Sequence, residues 1–339
     1  MKLNKHKGCR LSIAQQILKD SKGEEQAKAT QDISERTAVG LRLLGKSTER
    51  LELGEVIDLY KSVGRRNIEY FAWIHDVYSW ITLPSVSFDC RKDLGDDKTK
   101  LTVFDILVDD LADNYETRSY PLLQRLANIP WQSKAGIAET DAYLDVGRRI
   151  WEDCISSLSN YPRFNEFERI LYFDLRQVLS SMMYSYLGNT AGIENPIETG
   201  FYSSYGCLVE VAIDMDLMCS PAFDMRELGP MRTVACLAQK VAHVGNMLTT
   251  YPSEVVERDV SSPIISLALR KGVIRKDELG DKAAVPKVAK LEWVYKNKAY
   301  SYIKKVAEYE REIRSINIRG FSNYLVELIE KFEGSRSLR

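Results

Sequence analysis

Residues Leu101–Glu116 read LTVFDILVDDLADNYE, an apolar run that carries Asp105, Asp109, Asp110 and Asp113 in its interior. If the stretch is helical, Asp105, Asp109 and Asp113 fall at i, i+4 and i+8 on one face, each about 6 Å along the axis from the last. Like charges so placed repel. In a helix otherwise made of Leu101, Val103, Phe104, Ile106, Leu107, Val108 and Leu111, such repulsion is normally offset by cations. Carboxylates are hard oxygen ligands, so the cation they suit is Mg²⁺ or a relative rather than zinc or iron. A solvated acidic edge would give the same letters, and the run alone leaves both readings open.

Outward from this stretch the pattern is helical throughout. Spacings of three and four link Ile13, Ile17 and Leu18, then Ala38, Leu41 and Leu44, then Val56, Leu59, Tyr60 and Val63, and continue to Tyr70, Phe71 and Ile74. Leu83–Lys100, with Pro84 and the string RKDLGDDKTK, reads as a polar, mobile loop. Beyond the acidic helix, further helices are expected over Arg118–Leu126, Ala138–Leu158, Phe164–Leu187 and Ile197–Met218, the last interrupted at Gly206. Others follow from Leu228 past Thr250 and, after a basic loop between Pro263 and Pro286, through Leu291–Ile316 and Phe321–Phe332. No alternating strand pattern, internal repeat or low-complexity segment stands out. The expected class is all-α. Residues 1–50 form an N-terminal helical segment packed on a bundle of residues 51–333, with 334–339 as a tail.

At 339 residues and 45% hydrophobic content the chain can bury a large core. Its 47 Lys plus Arg balance 48 Asp plus Glu, which argues against nucleic acid as a partner. Cys9, Cys90, Cys154, Cys207, Cys219 and Cys236 are scattered without a CxxC pair, as expected of reduced thiols in a cytoplasmic protein. No signal peptide and no window long and apolar enough for a membrane span are evident. The oligomeric state, monomer or homodimer, is left open.

Two motif matches are decoys. Gly40–Ser47 fits the phosphate-binding pattern GxxxxGK[ST] letter for letter, but QDISERTAV precedes it in place of a buried strand, and Leu41, Arg42, Leu43 and Leu44 are bulky helix formers. His75-Asp76 resembles a paired metal ligand of helical phosphohydrolases. With His6 and His243 the only other histidines, a structural role fits it better.

A third feature bears on the acidic run. HVGNMLTTYPSEVVERD places Asn246, Thr250 and Glu254 at i, i+4 and i+8, an amide, a hydroxyl and a carboxylate along about 12 Å of helix. This is an oxygen-only ligand set, although Pro252 within the run implies a kink. Facing Asp109 and Asp113 across a cavity, it would suit a diphosphate held by several Mg²⁺ ions.

The pair of motifs, DDxxD at Asp109, Asp110 and Asp113 and Nxxx[ST]xxxE at Asn246, Thr250 and Glu254, resembles the class I terpene synthases over roughly residues 60–330. The resemblance implies a helical bundle around a central cavity for a linear isoprenyl diphosphate, with farnesyl or geranylgeranyl diphosphate the expected substrates. It implies three Mg²⁺ ions, with Mn²⁺ as a substitute, and cyclisation of the allylic cation after ionisation. Carried over residue by residue, Asp109, Asp113, Asn246, Thr250 and Glu254 would ligate metal. Gly206, beside Tyr205, would offer a carbonyl at a helix break. Phe71, Trp73, Trp80, Phe104 and Tyr205 are candidates for the aromatic pocket wall. Departures from the family pattern fall on the diphosphate side. No arginine lies in residues 197–225, so Arg176 is an alternative sensor; Arg258 stands in for the basic residue usual before the last ligand, and Arg319 with Tyr324 for a terminal Arg-Tyr pair. A chain-elongating prenyltransferase would need a second aspartate-rich motif, for which Asp214-Met-Asp216 is too short. A non-catalytic diphosphate-binding protein of the same fold is the remaining alternative.

Overall fold

The computed structural model describes Gly40 and residues 50–113, 117–132, 141–193 and 195–336. The expectations for residues 1–39 and 41–49, including most of the Gly40–Ser47 match, lie outside these. So do the last three residues of the expected tail. The described elements are α1 (Leu53–Lys61), α2 (Glu69–Trp80), α3 (Arg91–Ala112), α4 (Tyr120–Ala127), α5 (Ala142–Leu158), α6 (Phe164–Ala191) and α7 (Pro196–Tyr202). They continue with α8 (Val209–Met218), α9 (Leu228–Glu257), α10 (Pro263–Arg270), α11 (Val285–Ala289), α12 (Glu292–Glu308) and α13 (Ile318–Gly334), joined by short 3₁₀ turns. The described residues include no strand, so the protein is all-α.

Local chemistry sets several boundaries. The Asp141 side chain accepts from the Tyr143 amide and starts α5, and α6 stops where Gly192 takes a left-handed φ of 67°. Asn195 caps α7 through the amides of Ile197 and Glu198. Helix α9 runs on through Pro252 to Glu257.

The hub is α3, which packs against α1, α2, α4, α5, α6 and α8. Its first turns overturn the expectation of a mobile loop over Leu83–Lys100, because helix begins at Arg91 and, although Arg91, Lys92 and Asp93 stay exposed, the later charges Asp97, Lys98 and Lys100 are buried and paired. Lys98 and Lys100 are each 1% exposed. Lys98 Nζ lies 2.5 Å from Asp216 Oδ1, and Lys100 Nζ donates to Asp153 Oδ2 at 3.0 Å and to the Leu51 carbonyl at 2.5 Å. Asp97 Oδ2 accepts from Ser157 Oγ at 2.5 Å and Tyr161 OH at 2.6 Å. A run of charges looks solvated by composition, yet Asp97, Lys98 and Lys100 each find a counterpart on another element.

The second hub, α9, packs against α8, α10, α12 and α13. Between the hubs, α2 and α13 meet through Trp73 on Phe332 and Trp80 on Tyr324, each pair 5.1 Å between ring centroids. The expected basic loop over Pro263–Pro286 contains α10, whose Pro263, Ile264, Ile265 and Ala268 are buried. No helix among the described residues is long and apolar enough to cross a membrane. Cys90, Cys154, Cys207, Cys219 and Cys236 are free thiols.

Candidate active site

Helices α2, α3, α6, α8, α9 and α13 enclose a cavity of about 790 Å³, within the range of small-molecule sites. Helical register grades its lining. Towards the C-terminal ends of α3 and α9 it carries Asp109, Asp113, Glu254, Glu257 and then Asp259, whereas Ile106, Met182, Ile213, Met247 and Phe332 make its deeper surface apolar. Asp109, Asp113, Asn246, Thr250 and Glu254 all line this one cavity, as do Trp73 and Gly206.

The acidic wall is short of cations. Asp113 caps the end of α3, and its Oδ1 is 2.5 Å from Ser185 Oγ. Ser185 Oγ is 2.9 Å from Ser261 Oγ, which is 2.6 Å from Asp259 Oδ1. Two carboxyls thus share a chain of two hydroxyls. Burial, with the charges of Asp109 and Asp259, pushes the Asp113 carboxyl well above the usual carboxylate range, and burial raises Asp259. Asp105, one turn deeper, is pushed well above its ordinary value by burial and by the charge of Asp109. Its buried Oδ1 has no hydrogen-bond partner among the described residues.

The cation nearest this wall is Arg66, between α1 and α2. Its Nε donates to Asp110 Oδ1 at 2.7 Å, and its Nη2 donates to Asp109 Oδ2. Tyr60 OH donates to the other oxygen of Asp110 at 2.7 Å and accepts from the Arg66 amide at 3.1 Å. Asp110 is thus buried and committed to Arg66 and Tyr60.

On the opposite wall the Thr250 hydroxyl donates to the Asn246 carbonyl at 3.0 Å, which leaves the hydroxyl's lone pairs towards the cavity side of the helix. His243 lines the cavity one turn before Asn246, 3.3 Å from Ser203 Oγ through Nε2. Burial lowers its pKa to about 4, so it is neutral at physiological pH. The letters assign it no role, because a single histidine carries no spacing signal.

The helix interruption lies over Ser203–Leu208. Gly206 is in its 3₁₀ turn, but the left-handed residue is Leu208, with φ 56°. Gln239 of α9 holds the break closed. Its Oε1 accepts from the amides of Val209 at 2.6 Å and Glu210 at 3.0 Å, and its Nε2 donates to the Ser204 carbonyl. These bonds offset the cost of a buried leucine at positive φ.

Several expected site residues stand elsewhere. Arg176 lies exposed on α6 with its guanidinium 4.2 Å from the Trp131 ring centroid. Arg258 ends α9 in a left-handed conformation against Gly280. Arg319 is exposed on α13, and Tyr324 packs on Trp80. Phe71 is core against Tyr60, Phe104 against Trp151, and Tyr205 leans on Phe201. None of these, nor Trp80, lines the cavity. Helical periodicity marks which face is apolar, not which apolar face borders empty space. His75 pairs with Asp96 at 2.8 Å.

Among the described residues no three acidic, histidine or cysteine side chains converge closely enough to hold one ion. The donors divide between two walls, a split that suits ions completed by a polyanionic ligand. In kind they fit Mg²⁺, being all oxygen, with the unpartnered Asp105 oxygen nearby.

The sequence matches no family model and no curated protein. The fold does match solved structures. A cucumene synthase variant superposes with a TM-score of 0.55 at 13% identity, over 84% of this chain and 94% of that one. Linalool/nerolidol synthase from Streptomyces clavuligerus, in complex with 2-fluorogeranyl diphosphate, gives 0.55 at 12% identity, over 89% and 98%. Wild-type cucumene synthase gives 0.51 at 13% identity, over 91% and 95%. The chain has the class I terpene synthase fold.

Proposed function

We propose that this protein is a Mg²⁺-dependent terpene synthase that ionises a linear isoprenyl diphosphate, cyclises the allylic cation and releases diphosphate. The observation that supports it most is the placement of both oxygen-donor sets on the walls of one cavity with an apolar interior. Asp109 and Asp113 on α3, and Asn246, Thr250 and Glu254 on α9, would hold the Mg²⁺ ions, with Mn²⁺ as a substitute. When bound, the metal supplies charge stabilisation to the departing diphosphate.

The rest falls to the chain itself. Ile106, Met182, Ile213 and Met247 exclude water that would quench a carbocation, and Trp73, Phe321 and Phe332 present rings that favour positive charge. Neutral His243 adds no competing positive charge. Chain elongation finds no second acidic motif: Asp216 is tied to Lys98 and to the Leu83 amide at 3.1 Å, and Asp214 interacts with Asp174 rather than facing the cavity.

The test is product analysis by gas chromatography with farnesyl and geranylgeranyl diphosphate and Mg²⁺, using Asp109→Asn and Glu254→Gln. Loss of a metal ligand removes several kcal/mol of charge stabilisation, so turnover should fall on the order of a hundredfold or more. Unchanged product formation in both variants would sink the ligand assignment. Consumption of added isopentenyl diphosphate would favour elongation, and absence of Mg²⁺-dependent diphosphate binding would favour a non-catalytic role.

A further inference from the structure

The cavity poses a charge problem. Its lining includes Asp105, Asp109, Asp113, Glu254, Glu257 and Asp259, and among the described lining residues the only arginines or lysines are Arg65 and Arg66. The arginines that family resemblance would put on a diphosphate lie outside it. Of the two that remain, Arg66 is anchored at its base: Nε is fixed on buried Asp110, and the backbone amide is fixed on Tyr60 OH, which itself donates to Asp110. Its outer edge reaches Asp109, the first aspartate of the metal wall.

We infer that Arg66 is the diphosphate-binding arginine of this protein, holding Asp109 while the cavity is empty and exchanging that carboxylate for a phosphate oxygen when substrate enters. The inference rests on the terpene synthase reading. The Asp110 anchor holds the rigid guanidinium plane at the acidic wall, so exchange needs only the Asp109 carboxylate to leave its outer edge. Guanidinium binds phosphate and carboxylate with the same forked geometry, which lets one group serve both partners in turn. The swap also frees Asp109 at the moment a polyanion needs metal, and so links entry of the two charges. Asp110 is then the positioning residue for Arg66, and not a metal ligand.

Removing Arg66 should therefore move two affinities in opposite directions, which a purely structural arginine would not do. Because Arg66→Met alone would strand the buried Asp110 carboxylate, the comparison is Arg66→Met/Asp110→Asn against Asp110→Asn, with thermal unfolding as the check on folding. Electron paramagnetic resonance reads binding of Mn²⁺ alone, and calorimetry reads inorganic diphosphate at saturating Mg²⁺. A charge-assisted hydrogen bond is worth about tenfold to a hundredfold in affinity, so Mn²⁺ should bind up to about tenfold more tightly and diphosphate at least about tenfold more weakly. Mn²⁺ binding that is unchanged or weakened, or diphosphate binding that is unchanged, overturns the inference. Should the double variant not fold, Arg66→Lys, which keeps charge without the fork, must also weaken diphosphate binding severalfold; wild-type affinity there overturns it equally. A wild-type protein that fails to bind diphosphate with Mg²⁺ defeats the terpene synthase reading itself. Wild-type binding with unaltered variants defeats only the assignment of Arg66.

Discussion

The two ends of α3 handle buried charge in opposite ways. At the N-terminal end, Asp97, Lys98 and Lys100 meet Arg50, Asp216, Asp153, Ser157 and Tyr161, so each charge has a partner and geometry is fixed. At the C-terminal end, Asp105, Asp109, Asp110 and Asp113 are served by Arg66, and Asp105 and Asp113 are pushed towards the neutral acid. One helix thus carries a saturated network and an under-neutralised one. Saturation is what a structural role requires, since an unpaired buried charge costs several kcal/mol. On the terpene synthase reading proposed above, the deficit lies where a metal cation would be taken up, and the raised proton affinity of Asp105 and Asp113 lets the fold tolerate it meanwhile.

The saturated end should be the more fragile to single changes. Lys98→Met leaves the Asp216 carboxylate, 1% exposed, without its counter-ion. We expect a loss of about 3–5 kcal/mol in urea unfolding at neutral pH, and recovery of most of it in Lys98→Met/Asp216→Leu, where both charges leave together. A single-variant cost below about 1 kcal/mol would mean the pair is solvated, and the contrast between the two ends would disappear.

The deficient end should respond with the opposite sign. Asp105 keeps its proton in the folded protein above the pH at which the unfolded chain releases it. Its stabilising contribution is therefore complete below the unfolded value near 3.8 and is lost as pH rises through the folded value. Asparagine does not titrate. Asp105→Asn should leave stability nearly unchanged near pH 4 and raise it at pH 8, where the carboxyl of the wild-type chain has given up that contribution. Urea titrations at the two pH values would show it, and a variant destabilised at pH 8 would mean that the native carboxylate is charged and has a partner.

The same contrast explains what can be read from the letters. Asp109, Asp113, Asn246, Thr250 and Glu254 are visible because each set repeats every four residues on one helix, and periodicity is a property of sequence. Arg66 is not, because it lies 43 residues from Asp109 on a connecting segment, and a pairing across the fold leaves no periodic trace. Lys98 and Lys100 mislead for the complementary reason. Composition assigns RKDLGDDKTK to solvent, and only the positions of Asp153 and Asp216 on other helices show that its second half is core. Gln239 and Leu208 are hidden likewise, since a side chain that caps a break 30 residues earlier has no local signature.

The smallest expected effect separates arginines that face the cavity from those that do not. Arg176 is a candidate sensor by its position one helix before the break, but its guanidinium lies over Trp131 on the exposed side of α6. Such a stacked, solvated cation contributes about 0.5–1 kcal/mol. Arg176→Ala should accordingly shift unfolding by no more than about 1 kcal/mol and leave calorimetric binding of inorganic diphosphate with Mg²⁺ at the wild-type value. A tenfold loss of diphosphate affinity in Arg176→Ala would require α6 to rotate that side chain inwards on binding. The charge deficit at the end of α3 would then be met from α6 as well as from the segment that bears Arg66.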